Sequence, residues 1–196
     1  NNNSLANITA LPSSISGGGM TLLATQTASG SANLSFTSGI DDTYDSYVFK
    51  FYDIHPASNT VNFQINASTD GGSNYNATKT TTYFLAYHTE NDSGYALQYY
   101  ANRDLAQSTS AQQIVTIGNA NDDSASGTLT LYNPSSTTFV KHFLSRQQAP
   151  TGEATQNCKD TYVAGYFNTT SAINAVQFTM SSGNIDSGVI KLYGVS

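Results

Sequence analysis

The chain has 196 residues and a mass of 20.8 kDa, enough for one domain to bury a core without disulfides or metals. Only 10% of residues are charged, and seven Lys and Arg face 13 Asp and Glu, for a formal net charge of -6. Without clustered cations to displace counterions, nucleic acid is excluded as a partner, and an anionic membrane surface would repel the chain. No apolar run reaches the length of a membrane span, so no membrane insertion is expected. Aromatics at 11% and only four Pro argue against disorder.

Residues 1 to 19 read as an extended arm. Leu5, Ile8, Leu11 and Ile15 are spaced apolar residues in a polar stretch that ends in Gly17, Gly18 and Gly19. Such a segment cannot bury its apolar side chains on itself, so it is expected to lie along the domain or a neighbouring subunit.

From Met20 to the end the hydrophobic period is two, which marks strands. Met20 to Thr27 is the first, and Ala32, Leu34 and Phe36 mark the second. Asp45 to Ile54 carries Tyr47, Phe49 and Phe51 on one face and Val48, Tyr52 and Ile54 on the other, so a central strand covered on both sides is expected. Thr60 to Ser68 alternates Val61, Phe63, Ile65 and Ala67 with polar residues. Thr78 to His88 and Tyr95 to Tyr100 follow the turn at Asp70, Gly71 and Gly72. Asn102 to Ser110 is the single segment that reads as a short helix. Gln113 to Ile117, Gly127 to Tyr132, Phe139 to Ser145, Tyr162 to Phe167, Val176 to Met180 and Val189 to Tyr193 complete the series. Pro150 to Lys159 reads as a turn cluster. Many short strands with turn signals between them predict an all-β protein, an antiparallel β-sandwich with a jelly-roll-like build over residues 20 to 196. Strand order is not readable at this level, so other sandwich topologies are equally compatible. Weakly charged sheet edges and aromatic outer positions predict a homo-oligomer.

No motif of nucleophilic, metal-hydrolytic or phosphate-binding chemistry appears, and no enzymatic activity or cofactor is expected. Cys158 is the sole cysteine, and His55, His88 and His142 are isolated in sequence. Glu90 and Glu153 both lie in turns, an unpromising start for a pair of carboxyls facing across a sugar. Asp41, Asp42 and Asp45, and the stretch Asn119, Asn121, Asp122 and Asp123, offer oxygens for calcium without matching an EF-hand loop. Tyr83, Tyr87, Tyr95, Tyr99 and Tyr100 form the candidate ligand site, a stacking platform for sugar rings, with core packing as the competing role for the same residues.

The run from Phe36 through Asp41, Asp42, Tyr44, Tyr47 and Phe49 to Phe51, the turn Asp70-Gly71-Gly72, and the stretches Phe139 to His142, Val163 to Ser171 and Met180 to Gly194 resemble the β-sandwich modules of tailed bacteriophage virion proteins, tail-fibre-like proteins of marine phages among them. The resemblance covers nearly all of the chain after residue 20. It implies a non-enzymatic virion protein, assembled in the host cytoplasm and often trimeric, that serves as a short tail fibre, a tip or a capsid decoration. It also implies that residues 1 to 19 contact other virion proteins and that the sandwich meets a host surface glycan. A carbohydrate-binding module of a secreted bacterial protein is the competing expectation.

Overall fold

A computed structural model describes residues 19–150 and 156–196. Apart from Gly19, the expected N-terminal arm lies outside the described residues, as does Glu153. The described chain forms twelve strands: β1 (Thr21–Ser31), β2 (Asn33–Phe36), β3 (Ser46–Pro56), β4 (Val61–Ser68), β5 (Lys79–Thr89), β6 (Tyr95–Tyr99), β7 (Gln112–Ile117), β8 (Ala125–Tyr132), β9 (Lys141–Pro150), β10 (Asn157–Phe167), β11 (Ala175–Met180) and β12 (Ile185–Val195). All pairings between them are antiparallel.

Two sheets pack together as an all-β sandwich. One has the order β1-β12-β3-β8-β9-β10-β5-β6 and the other β2-β11-β4-β7. The chain changes sheet at most connections, and the exceptions lie in the long sheet: the meander β8-β9-β10 and the hairpin β5-β6. The pairs β9-β10 and β5-β6 form an extension of that sheet beyond β8.

The core lies where the long sheet faces the short sheet and continues along the inner face of β9, β10 and β5 through Phe143, Phe167 and Tyr83. Phe178 of β11 sits at its centre, meeting Phe49 and Phe51 edge-on at 5.2 Å each, Phe36 at 6.3 Å, and stacking on Phe63 at 5.6 Å. Edge-to-face pairs of this kind favour one arrangement over other equally apolar ones. The alternation in β4 buries Val61, Phe63, Ile65 and Ala67, as their spacing predicts.

Three elements differ from expectation. β3 is central, but among the described residues no second layer covers its outer side, where Val48 is buried and Tyr52 is not. Asp53 adopts φ 49°, and the ladder to β8 shifts between Phe51 and Ile54. That bulge turns Ile54 into the core and leaves Tyr52 40% exposed, so the even-numbered apolar residues do not share a face. The helix expected over Asn102 to Ser110 is a single 3-10 turn at Ala101–Arg103. The Asp104 carboxylate accepts the Tyr83 N–H at 2.7 Å, and the chain then follows β5, with Thr81 N–H donating to Leu105 O and Lys79 N–H to Ser108 O, both at 2.9 Å. Backbone groups that a helix would pair internally are paired with a strand instead. Both ends of the turn expected at Pro150 to Lys159 are strand instead, since β9 runs to Pro150 and β10 begins at Asn157.

On the inner face of the extension, Phe167 is directly paired with Lys141 on one side and Lys79 on the other. Both lysines are fully buried. Lys79 Nζ donates to Ser110 O at 2.6 Å, and Lys141 Nζ to Phe139 O and Thr169 O at 3.0 Å each. Backbone carbonyls, rather than carboxylates, hold these ammonium groups.

Candidate functional site

The extension exposes its outer face to solvent, and the strand register builds that face row by row. One row runs Thr128, Arg146, Tyr162, Phe84, Tyr99 across β8, β9, β10, β5 and β6. The next runs Thr130, Leu144, Ala164, Thr82, and beside it His142, Tyr166 and Thr80 are paired. On the other side Gln148, Asp160, Ala86 and Leu97 form a further row.

Side chains standing in one row touch their neighbours. The Tyr162 and Phe84 rings stack at 4.8 Å with planes 2° apart, and the Arg146 guanidinium lies 5.0 Å from the Tyr162 ring centre. Arg146 Nε donates to Asp160 Oδ1 at 3.0 Å and Nη2 to Oδ2 at 2.7 Å, a bidentate pair, while the Tyr162 hydroxyl donates to Asp160 Oδ2 at 3.0 Å. Hydrogen bonding by Arg146 holds the Asp160 carboxyl below its ordinary value, and the same carboxylate pushes the Tyr162 hydroxyl up. Shallow depressions of about 430 Å³ and 360 Å³ adjoin Leu144 and Ala164, with Tyr162 and Phe84 edging the first and Tyr166 and His142 the second.

The five tyrosines expected to form one platform are divided between the two faces of the extension. Tyr83 is fully buried; its hydroxyl accepts from Arg103 Nη1 at 2.9 Å, and burial pushes its pKa up. Tyr100 packs edge-on against Tyr83 at 6.1 Å, and the Arg103 guanidinium lies 4.6 Å from its ring centre. Tyr87 packs against the core from the same inner side. Only Tyr95, 77% exposed, and Tyr99, 62% exposed, stand clear of the inner side. The division follows from pleating: residues 83 and 87 share one face of β5, and Phe84 and His88 the other.

The residues missed in sequence are Phe84, Leu144, Arg146, Tyr162 and Tyr166. Their signal was present in β10, where Tyr162, Ala164 and Tyr166 alternate with Val163 and Gly165. Which face looked outward required the strand order.

Of the calcium candidates, Asp41 is engaged in closing its own turn. Asp41 Oδ1 accepts the Thr43 N–H at 2.9 Å and the Tyr47 O–H at 3.0 Å, and these bonds hold the carboxyl below its ordinary value. Asp123 is buried, its N–H donating to Ala120 O at 2.9 Å. Among the described residues no group of three His, Cys, Asp or Glu is arranged to hold a metal ion. His55 Nδ1 lies 2.6 Å from Asp123 O, His88 Nε2 lies 3.0 Å from Asp92, and Cys158 is exposed on the outer face near Gln148. These groups do not converge on a reaction centre. No helix among the described residues is long and apolar enough to cross a membrane.

Neither models of known families, nor curated proteins, nor solved structures give a match to this chain.

Proposed function

We propose that this is a non-enzymatic structural protein of a bacteriophage particle, a jelly-roll module displayed in several copies as a short tail fibre, tip or capsid decoration. The observation that carries the reading is the outer face of the extension. Leu144 is 52% exposed and Leu97 73%, beside Tyr95, Tyr99, Phe84 and Tyr132, on a chain with few charges to keep copies apart. Contiguous apolar surface of this kind marks an interaction site, and a second copy of the same chain is the occupant proposed for it. Strand order supports the jelly-roll part of the reading. With the two hairpin units set aside, β1-β12-β3-β8 faces β2-β11-β4-β7, which is the order of two Greek keys rolled together. That build serves capsid and lectin domains alike. Residues 1 to 19 are the proposed attachment to other virion proteins, and the trimer is the proposed assembly.

The test is native mass together with particle association. The reading expects a multimer in solution and the chain among the proteins of purified particles. A monomer missing from particles would end it. The stacked Tyr162 and Phe84 rings, with Arg146 and Asp160 at their edge, favour one second reading, a carbohydrate-binding module. Flat rings stack on sugar faces, and the charged pair offers hydrogen bonds to hydroxyls. Loss of glycan binding in Tyr162→Ala, with a monomeric wild type, would favour that reading over the first.

A further inference from the structure

The two sheets end in four edge strands, β1, β6, β2 and β7, and three of them are guarded. β2 is four residues long. β1 is irregular between Leu22 and Ala24 in its ladder to β12, and the Gln26 amide reaches across to Ser35 O. The register of β7 with β4 slips between Phe63 and Gln64, and β7 lies against β9 and β10. Short length, bulges and cover are the ordinary means by which a sheet edge is kept from pairing with another chain.

β6 has none of these. Its register with β5 runs unbroken from Tyr95 opposite His88 to Tyr99 opposite Phe84. Tyr95, Ala96, Leu97, Gln98 and Tyr99 include no charge, proline or glycine, and among the described residues no strand pairs with the other side of β6. The ladder fixes where its backbone groups point. Tyr100 N–H donates to Tyr83 O at 3.1 Å and Thr89 N–H to Gly94 O at 2.9 Å, so the even-numbered residues from 94 to 100 face β5. Tyr95, Leu97 and Tyr99 therefore turn their N–H and C=O groups to the open edge, and their side chains stand exposed on the outer face. Both rings are braced there. Tyr95 stacks on the His88 ring at 6.2 Å, and the Tyr99 hydroxyl donates to the Asp104 carboxylate.

The order of these side chains says what fits. Read in either direction, the outward-turned positions are tyrosine, leucine, tyrosine. An antiparallel strand of the same sequence, related by a two-fold axis at Leu97, sets Tyr95 opposite Tyr99, Leu97 opposite Leu97 and Tyr99 opposite Tyr95. All three are then hydrogen-bonded pairs, and the contact uses the same patch on both copies. No charge on either strand opposes the approach.

We propose that β6 pairs in this way with β6 of a second copy, joining the two long sheets into one. The three pairs supply about six backbone hydrogen bonds. The outer-face row Tyr162, Phe84, Tyr99 continues into Tyr95 and His88 of the second copy, which sets aromatic side chains opposite one another across the join. Two tyrosines and one leucine from each copy bring at most roughly 1,000 Å² into the join, short of a stable interface. The edge therefore links units that the outer face already holds and does not sustain a dimer alone. Each copy takes one partner through β6, so the copy number of the closed assembly is even, and the proposed trimer occurs in pairs. The inference rests on the proposed function only in taking a second copy as the occupant.

The experiment is hydrogen exchange of the whole protein, read at single amides by fragmentation mass spectrometry, at a concentration where native mass shows the multimer and again at a dilution that yields monomer. The amides of Tyr95, Leu97 and Tyr99 are expected to exchange about tenfold or more slowly in the multimer than in the monomer, and those of Ala96 and Gln98, bonded to β5, to differ little. Leu97→Pro removes an outward N–H and no bond to β5, and is expected to halve the native mass with little change in melting temperature. Should Leu97→Pro fail to fold, exchange in the wild type decides alone. An odd copy number, equal exchange at the three amides in multimer and monomer, or a folded Leu97→Pro of wild-type mass overturns the join and leaves the outer-face multimer standing. Slow exchange at those amides already in the monomer overturns it by showing that a segment of the same chain covers the edge. Protection gained only on adding a different protein overturns it too, as does a monomer at every concentration. A protected edge in a multimer missing from purified particles keeps the join and ends the particle reading.

Discussion

Phe84 and Tyr162 stand side by side on paired strands, ring centres 4.8 Å apart, on a sheet face that nothing else in the described chain covers. Two aromatic rings stacked in the open have satisfied one another only in part, since their rims and the apolar residues around them still meet water. Leu144, two residues along β9 from Arg146, lies in the middle of that surface.

Leu144→Asp places a charge there without disturbing the core. The expected outcome is dissociation of the multimer to monomer by light scattering, with the monomer's melting temperature little changed. A Leu144→Asp protein that keeps the wild-type mass would remove this face from the assembly.

Lys79 gives stability a dependence on alkaline pH. Burial pulls its pKa from 10.5 down to about 8, so between those values the unfolded chain binds the proton and the folded chain releases it. Stability therefore rises with pH across that window, and the whole interval is worth about 3 kcal/mol. Lys141 is shifted the same way. Burial raises the pKa of Tyr47 and Tyr83, which act oppositely once pH passes the ordinary tyrosine value near 10. Urea unfolding between pH 8 and 10 isolates the lysines: wild type is expected to gain stability across this range, and Lys79→Met to lose most of that gain. A flat wild-type profile would count against a neutralised buried lysine.

Phe178 should be the costliest single truncation. Its ring touches four other phenylalanines, and Phe178→Ala leaves a cavity between the sheets worth about 3–5 kcal/mol. Phe139→Ala, 69% exposed at the start of the extension, is expected to cost far less in the same denaturation experiment. At Gly165 the problem is reversed, since an added Cβ would sit 2.7 Å from Thr81 Cγ2 and 2.8 Å from both Phe143 Cζ and Thr80 O. Overpacking of that kind in Gly165→Ala is expected to cost about 1–3 kcal/mol.

Calcium should leave the protein indifferent. Because the Asp41 carboxylate already accepts from Thr43 and Tyr47, chelation is expected to shift the melting temperature by less than the error of the scan. A clear drop on chelation would show that an oxygen cluster had been misjudged.

The strands were legible where a hydrophobic period of two survives in plain sequence, as in Val61, Phe63, Ile65 and Ala67 of β4. In β9 burial alternates but polarity does not, because Lys141, Ser145 and Gln147 are buried while Leu144 is open, and its bounds were not legible. β3 was harder, since one residue at positive φ exchanges the faces and nothing in Tyr52, Asp53 and Ile54 announces it. The false helix at 102 to 110 arose because hydrogen bonds to β5 are long-range, outside what local propensity records. The tyrosine platform failed for a related reason. Tyr83 and Tyr99 look alike in sequence, and only the pairing of β5 with β6 and β10 decides which is sealed by Arg103 and which meets solvent.

The β10 to β5 pairing joins two hairpin units that arise from different connections of the chain, with Phe167 set against Lys79 and Asn157 against Thr89. β9 finds a neighbour in β8, which precedes it, but β5 and β6 have no sheet neighbour besides each other until β10 arrives, so during synthesis they must wait, edge bare, for it to emerge. The flank that holds the open face is therefore expected to be the slow step in reaching the native state, and the stretch where a nascent copy is most exposed to pairing with the wrong molecule.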